Sequence, residues 1–168
     1  MKKTLLRLIT MVMVLGMVFI AGPVMARDNA VQTVSYEVSA INEFSVSGSP
    51  SAMNVSAAIA GSEPNEVSDA TTTYAITTNG GTDAKKITAG INTAMPSGVT
   101  LKINLAAPAG ATSLNDVDIS NAVTAVNVVT AIDSIAESGK TITYKLSATI
   151  AAGVVSDSKT VTLTIADS

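Results

Sequence analysis

The chain has no histidine, no cysteine and no tryptophan, and aromatic residues make up only 3% of it. Without histidine it lacks the commonest general base and imidazole metal ligand. Without cysteine it has no thiolate nucleophile, disulfide or lipid-bearing cysteine, so an exported form must take its stability from its core or from neighbouring molecules. A serine nucleophile would need a lysine partner, and Ser138-Gly139-Lys140 reads as a solvated turn entering a strand. Paired carboxylates remain as an option for glycoside hydrolysis, but Glu37 and Glu43, and Glu63 and Glu66 around Pro64, carry no sign of facing a cleft. The expectation is a protein that is not an enzyme.

Charge is scarce as well, at 14% of residues. Three of the basic residues, Lys2, Lys3 and Arg7, precede an uncharged apolar run from Leu8 to Ala26 that ends in Gly22-Pro23-Val24-Met25-Ala26. A basic start, an apolar stretch and small residues at its end are the marks of a secretory signal peptide, so residues 1–26 are expected to be removed and the mature chain to begin at Arg27. The run approaches the length needed to span a bilayer, but Gly22-Pro23 interrupts a helix, and no stable membrane anchor is expected after cleavage. Arg27-Asp28 after the run does not fit a type IV pilin, and Lys159–Ser168 is too polar for a sorting tail. The mature chain would hold seven basic against thirteen acidic residues, a net charge of −6 in place of −3. Nucleic acid and anionic lipid are therefore not expected partners. The expected location is outside the cell or on its surface.

What is abundant is Ala, Thr, Ser and Val, and the β-branched members favour pleated surfaces. Polar and apolar residues alternate in Thr33–Ala40 with even positions apolar, and in Val99–Leu105 with odd positions apolar. The pattern recurs in Lys140–Ile150, with Ile142, Tyr144, Leu146, Ala148 and Ile150 inward, and in Lys159–Ile165, with Val161, Leu163 and Ile165 inward. Shorter strands are expected at Phe44–Ser47, Ala52–Ala57, Thr72–Thr77 and Lys86–Ile91. Asn79-Gly80 suits a tight hairpin between the strands around Tyr74 and Ile87. In Asp118–Ala136 the apolar spacing fits a helical turn or a strand, and a short strand crossing between sheets is the assignment. This predicts an all-β chain, a single immunoglobulin-like antiparallel sandwich of about seven to nine strands, with an N-terminal strand over 27–43 and the sandwich over 44–168.

Asn115-Asp116-Val117-Asp118 is the candidate cation site, since the Asp116 and Asp118 oxygens could converge on Ca²⁺, although the run lacks the glycine and distant glutamate of a complete loop. No other cofactor is expected.

Thr33–Ala40, followed by Phe44-Ser45-Val46-Ser47 and Met53-Asn54-Val55, resembles the opening of secreted pilin-like and spore-coat-like β-sandwich subunits that assemble by donor-strand exchange. Thr141–Ala148 and Thr160–Ile165 are similar to the closing hairpin of that class and of many immunoglobulin-like surface domains. The chain departs from the disulfide-bearing, chaperone-assembled members, since it has no cysteine. The resemblance implies a structural subunit of an extracellular filament, pilus or surface layer, polymerising with identical subunits. Val34, Tyr36, Val38 and Ala40 would then enter a neighbour's groove. The other reading is a secreted or periplasmic binding module for a carbohydrate or protein, using loops at Gly61–Ala70, Pro108–Asp118 and Ser134–Lys140.

Overall fold

The computed structural model describes residues 29–80 and 83–168. The leader assigned to 1–26 lies outside them. Among the described residues no helix is long and apolar enough to cross a membrane.

Residues 38–168 form one compact unit that contains every strand described. Residues 29–37, taken by themselves, carry no helix, strand or turn and are exposed throughout.

The strands are β1 (Asn42–Val46), β2 (Val67–Thr78), β3 (Lys85–Ile91), β4 (Val99–Leu105), β5 (Thr112–Ser113), β6 (Val117–Asp118), β7 (Val126–Ile132), β8 (Ile135–Ala148) and β9 (Val161–Asp167). They make two antiparallel sheets, one in the order β1-β2-β8-β4-β6 and one in the order β5-β7-β3-β9. The chain is all-β and forms a sandwich.

The alternation read from the sequence sets the inner faces. In β4, Leu101, Ile103 and Leu105 are buried, and in β8 so are Ile142 and Tyr144. They meet Ile87, Ala89 and Ile91 of β3 and Val128, Val129 and Ile132 of β7, with Tyr74 and Ile76 of β2 completing the core. Fully burying each large aliphatic side chain contributes roughly 1.5–3 kcal/mol, so this set dominates stability. Tyr74 keeps its ring in the core by donating its hydroxyl to Ala106 O at 2.6 Å.

Several expectations are revised. Thr33–Ala40 is not a strand, because alternation supplies a face without supplying a partner. Ala52–Ala57 likewise joins neither sheet. The turn at Asn79-Gly80 does not close a hairpin, since β2 and β3 lie in different sheets. Gly80 has the positive φ expected of it, 71°, but Asn79 turns back instead. Its Oδ1 accepts from Ile41 N at 3.0 Å, and its Nδ2 donates to Ser39 O at 2.8 Å. β8 and β9 are also in different sheets and form no hairpin. Ile150 leaves the inner face in a single 3₁₀ turn, Ile150–Ala152, where it is exposed. Ser138-Gly139 lies inside β8 as a bulge: the register slips between Tyr74↔Lys140 and Ile76↔Glu137, and Gly139 has φ 67°. The 118–136 stretch crosses from β6 in one sheet to β7 in the other, as a turn followed by a strand.

Candidate assembly interface

The sandwich is finished unevenly. β5 and β6, the edges on one side, are two residues each, whereas β9 presents a seven-residue edge. β9 pairs with β3 along its whole length, Lys85↔Asp167 to Ile91↔Val161, and no described strand covers its other side. Its inward residues Val161, Leu163 and Ile165 are only half-buried, although the sequence pattern places them in the core.

Beside β9 the sheets enclose a groove of about 720 Å³. Val161 and Leu163 form one wall. Met53, Phe44 of β1 and Thr72 of β2 contribute to the groove lining, with Ile142, Tyr144 and Leu146 of β8. Phe44 packs on Tyr74 with ring centroids 5.5 Å apart. Thr72 is 3% exposed, and its Oγ1 is the one buried side-chain polar atom among the described residues without a hydrogen-bond partner. An unsatisfied buried hydroxyl costs about 1–3 kcal/mol, which makes this position in the lining notable. Just beyond Thr72, a bulge in β2 is pinned by Asp69, whose Oδ1 accepts from Thr71 N at 3.1 Å and Thr71 Oγ1 at 2.7 Å. These hydrogen bonds, the Thr71 hydroxyl first, hold the Asp69 carboxyl below its usual pKa.

The stripe Val34, Tyr36, Val38 and Ala40 is exposed at every position, with Tyr36 90% accessible.

The candidate cation residues take other partners. Asp116 Oδ2 accepts from Lys145 Nζ at 2.6 Å, and this hydrogen bond raises the lysine pKa. Asp118 Oδ1 accepts from Ser120 N at 2.8 Å, and the serine's bonds lower its carboxyl pKa. Among the described residues no group of three or more acidic side chains lies close enough to hold a metal ion.

Other charges are also tied to the scaffold. Glu63 Oε2 accepts from Ile150 N at 2.7 Å, and Glu137 pairs with Lys140 at 2.9 Å, which lowers the Glu137 pKa. Ser156 and Lys159 have the spacing of a serine–lysine pair, against the expectation that no lysine of the mature chain stands in a Ser-x-x-Lys arrangement. Lys159 Nζ nevertheless lies 2.8 Å from Asp157 and 2.9 Å from Thr93 Oγ1. Of the loops considered for ligand binding, 67–70 and 135–140 belong to β2 and β8.

The groove has no signature of its own in the local sequence pattern. Its lining comes from five stretches of chain far apart in sequence, and the only local signal is the apolar alternation of β9. No family model matches the chain, and no curated protein or solved structure matches it either.

Proposed function

We propose that the protein is an exported, non-enzymatic structural subunit that assembles with identical subunits into an extracellular filament or surface layer by donating the segment before β1. One observation carries this reading. Val34, Tyr36 and Val38 are 76%, 90% and 75% exposed in a segment that alternates like a strand and belongs to neither sheet. Three large apolar side chains in register on one face are a poor solvent surface and a good strand for β-augmentation. A donor on one surface and an acceptor on another give a heterologous contact, which propagates unless its rotation closes a ring.

The test is the Val38→Lys variant of the chain from Arg27 onward, compared with the parent by electron microscopy and sedimentation. All described strands lie beyond residue 41, so the sandwich should fold in both. The parent should form long assemblies and the variant should remain monomeric with unchanged circular dichroism. Assemblies of equal length from both would refute strand donation.

A further inference from the structure

The groove beside β9 and the stripe before β1 are complementary, and we propose that residues 34–40 of one copy add as a strand to the open edge of β9 in a second copy, setting Val34, Tyr36, Val38 and Ala40 into its groove. This rests on the strand-donation reading and names the surface that receives the strand.

Length is the first match. The stripe and β9 are seven residues each, so the two would run side by side for about 20 Å at the rise of a β-strand. Period is the second. Side chains two apart on the donor have the spacing of Val161, Leu163 and Ile165, so they would pack between the residues already facing the groove. The opposite face also agrees: Ser35, Glu37 and Ser39 would lie outward beside Thr162 and Thr164, which keeps Glu37, the only charge in 29–40, out of the groove.

The chemistry of the lining identifies the occupant further. Thr72 lines the groove, and its buried Oγ1 has no hydrogen-bond partner. Tyr36 is the one residue of the stripe with a hydroxyl, and it combines that group with the largest apolar area of the four. Tyr36 is therefore the side chain assigned to the Thr72 side of the groove.

Connectivity favours a second molecule. Only Ile41 separates Ala40 from β1, and Asn79 holds Ser39 and Ile41 through its side chain while its N–H donates to Ile41 O at 3.3 Å. Phe44 and Val46 of β1 already border the groove. A chain doubling back along them would need a reversal within residues that Asn79 fixes, and the tightest common hairpin loop takes two. Among the edges, β9 is also the longest, and β5 and β6 are too short to template a seven-residue strand.

The absence of cysteine supplies a clean assay. Donor copies carrying Thr33→Cys, Ser35→Cys or Glu37→Cys are mixed with acceptor copies carrying Thr162→Cys or Thr164→Cys. A second acceptor set carries Ser45→Cys on the edge strand β1. All six positions are exposed, so folding is not at issue. After mild oxidation, sedimentation reports assembly and non-reducing electrophoresis reports the linkage. Disulfide-linked dimers at Thr162→Cys or Thr164→Cys, at least tenfold above those at Ser45→Cys, are the expected result. Assemblies that form without that linkage, or that link through Ser45→Cys instead, would overturn the β9 assignment and leave strand donation standing. No assembly from any mixture or from the parent would overturn both.

Discussion

Replacing Tyr36 by alanine should separate assembly from folding. The side chain is 90% exposed, so truncation removes almost no contact that the subunit itself makes. Subunit stability should change by no more than about 0.5 kcal/mol, as for other exposed positions. Inside a neighbour's groove the same ring would bury about 150–250 Å². At about 25 cal/mol per Å² that corresponds to roughly 4–6 kcal/mol, of which part is lost to ordering the side chain and desolvating its hydroxyl. A net loss of about 2–3 kcal/mol raises the critical concentration for assembly about 30- to 150-fold. Tyr36→Phe keeps the area and removes only the hydroxyl opposite Thr72, so its effect should be about two- to tenfold and should vanish when the acceptor carries Thr72→Val. Critical concentrations from sedimentation and stabilities from urea unfolding give both numbers on the same samples. A Tyr36→Ala chain that assembles within threefold of the parent, or that loses more than about 1 kcal/mol as a subunit, would refute the reasoning.

Two further outcomes test the fold itself. Gly139 and Gly98 both have positive φ, 67° and 80°, but a methyl group at 139 would meet nothing within 4 Å whereas one at 98 would lie 2.8 Å from Thr149 Oγ1 and 2.9 Å from Ala152 N. Gly139→Ala should cost about 1–2 kcal/mol for the left-handed backbone alone, and Gly98→Ala clearly more in the same urea titration; equal costs would contradict the packing at that turn. At alkaline pH, burial first and the Glu137 charge second push the Tyr74 hydroxyl up to about 12, and burial also raises Tyr144. Between about pH 10 and 12 the folded chain then retains protons that the unfolded chain has released, so stability should fall with rising pH by roughly 2–3 kcal/mol for Tyr74. A urea midpoint that is flat from pH 9 to 11.5 would show that the ring is not buried as described.

How much of this was legible depends on which physical signal each element carries. β4 could be read to the residue, since Val99–Leu105 alternates without interruption and has strands on both sides, β8 and β6. The same alternation over Thr33–Ala40 and Ala52–Ala57 gave no strand, because a strand exists only where a ladder partner exists. Asn79-Gly80 signals a backbone with positive φ, which Gly80 has, at 71°, and Asn79 has not. Whether the flanking strands share a sheet is a tertiary matter, and Asn79 spends its side chain on Ser39 and Ile41. Ser138-Gly139 suggests a turn, yet a glycine with φ 67° serves equally well as a bulge that lets β8 run on to 14 residues. For the interface, the stripe Val34-Tyr36-Val38-Ala40 was visible as a pattern, but the groove was not. Thr72 and Met53 acquire their meaning only when β2, β8 and β9 converge around them.

The uneven core links these observations. On the side of β3, β4 and β7, large aliphatic residues reach complete burial, while on the β9 side Val161, Leu163, Phe44, Met53 and Met95 stop half-way. A domain without disulfides that leaves this area in water forgoes stabilisation its own composition could supply, and it exposes a long edge with no proline or bulge to block pairing. Such an edge invites indiscriminate association unless a specific strand covers it. A stripe of matching length and period, carried just ahead of β1 on every copy, would cover it selectively and complete the half-finished side of the core in the same step. The subunit would then be least stable at β9 when alone, so the strongest gain in amide protection on assembly should fall on Val161–Asp167, with β4 and β7, already closed, changing little.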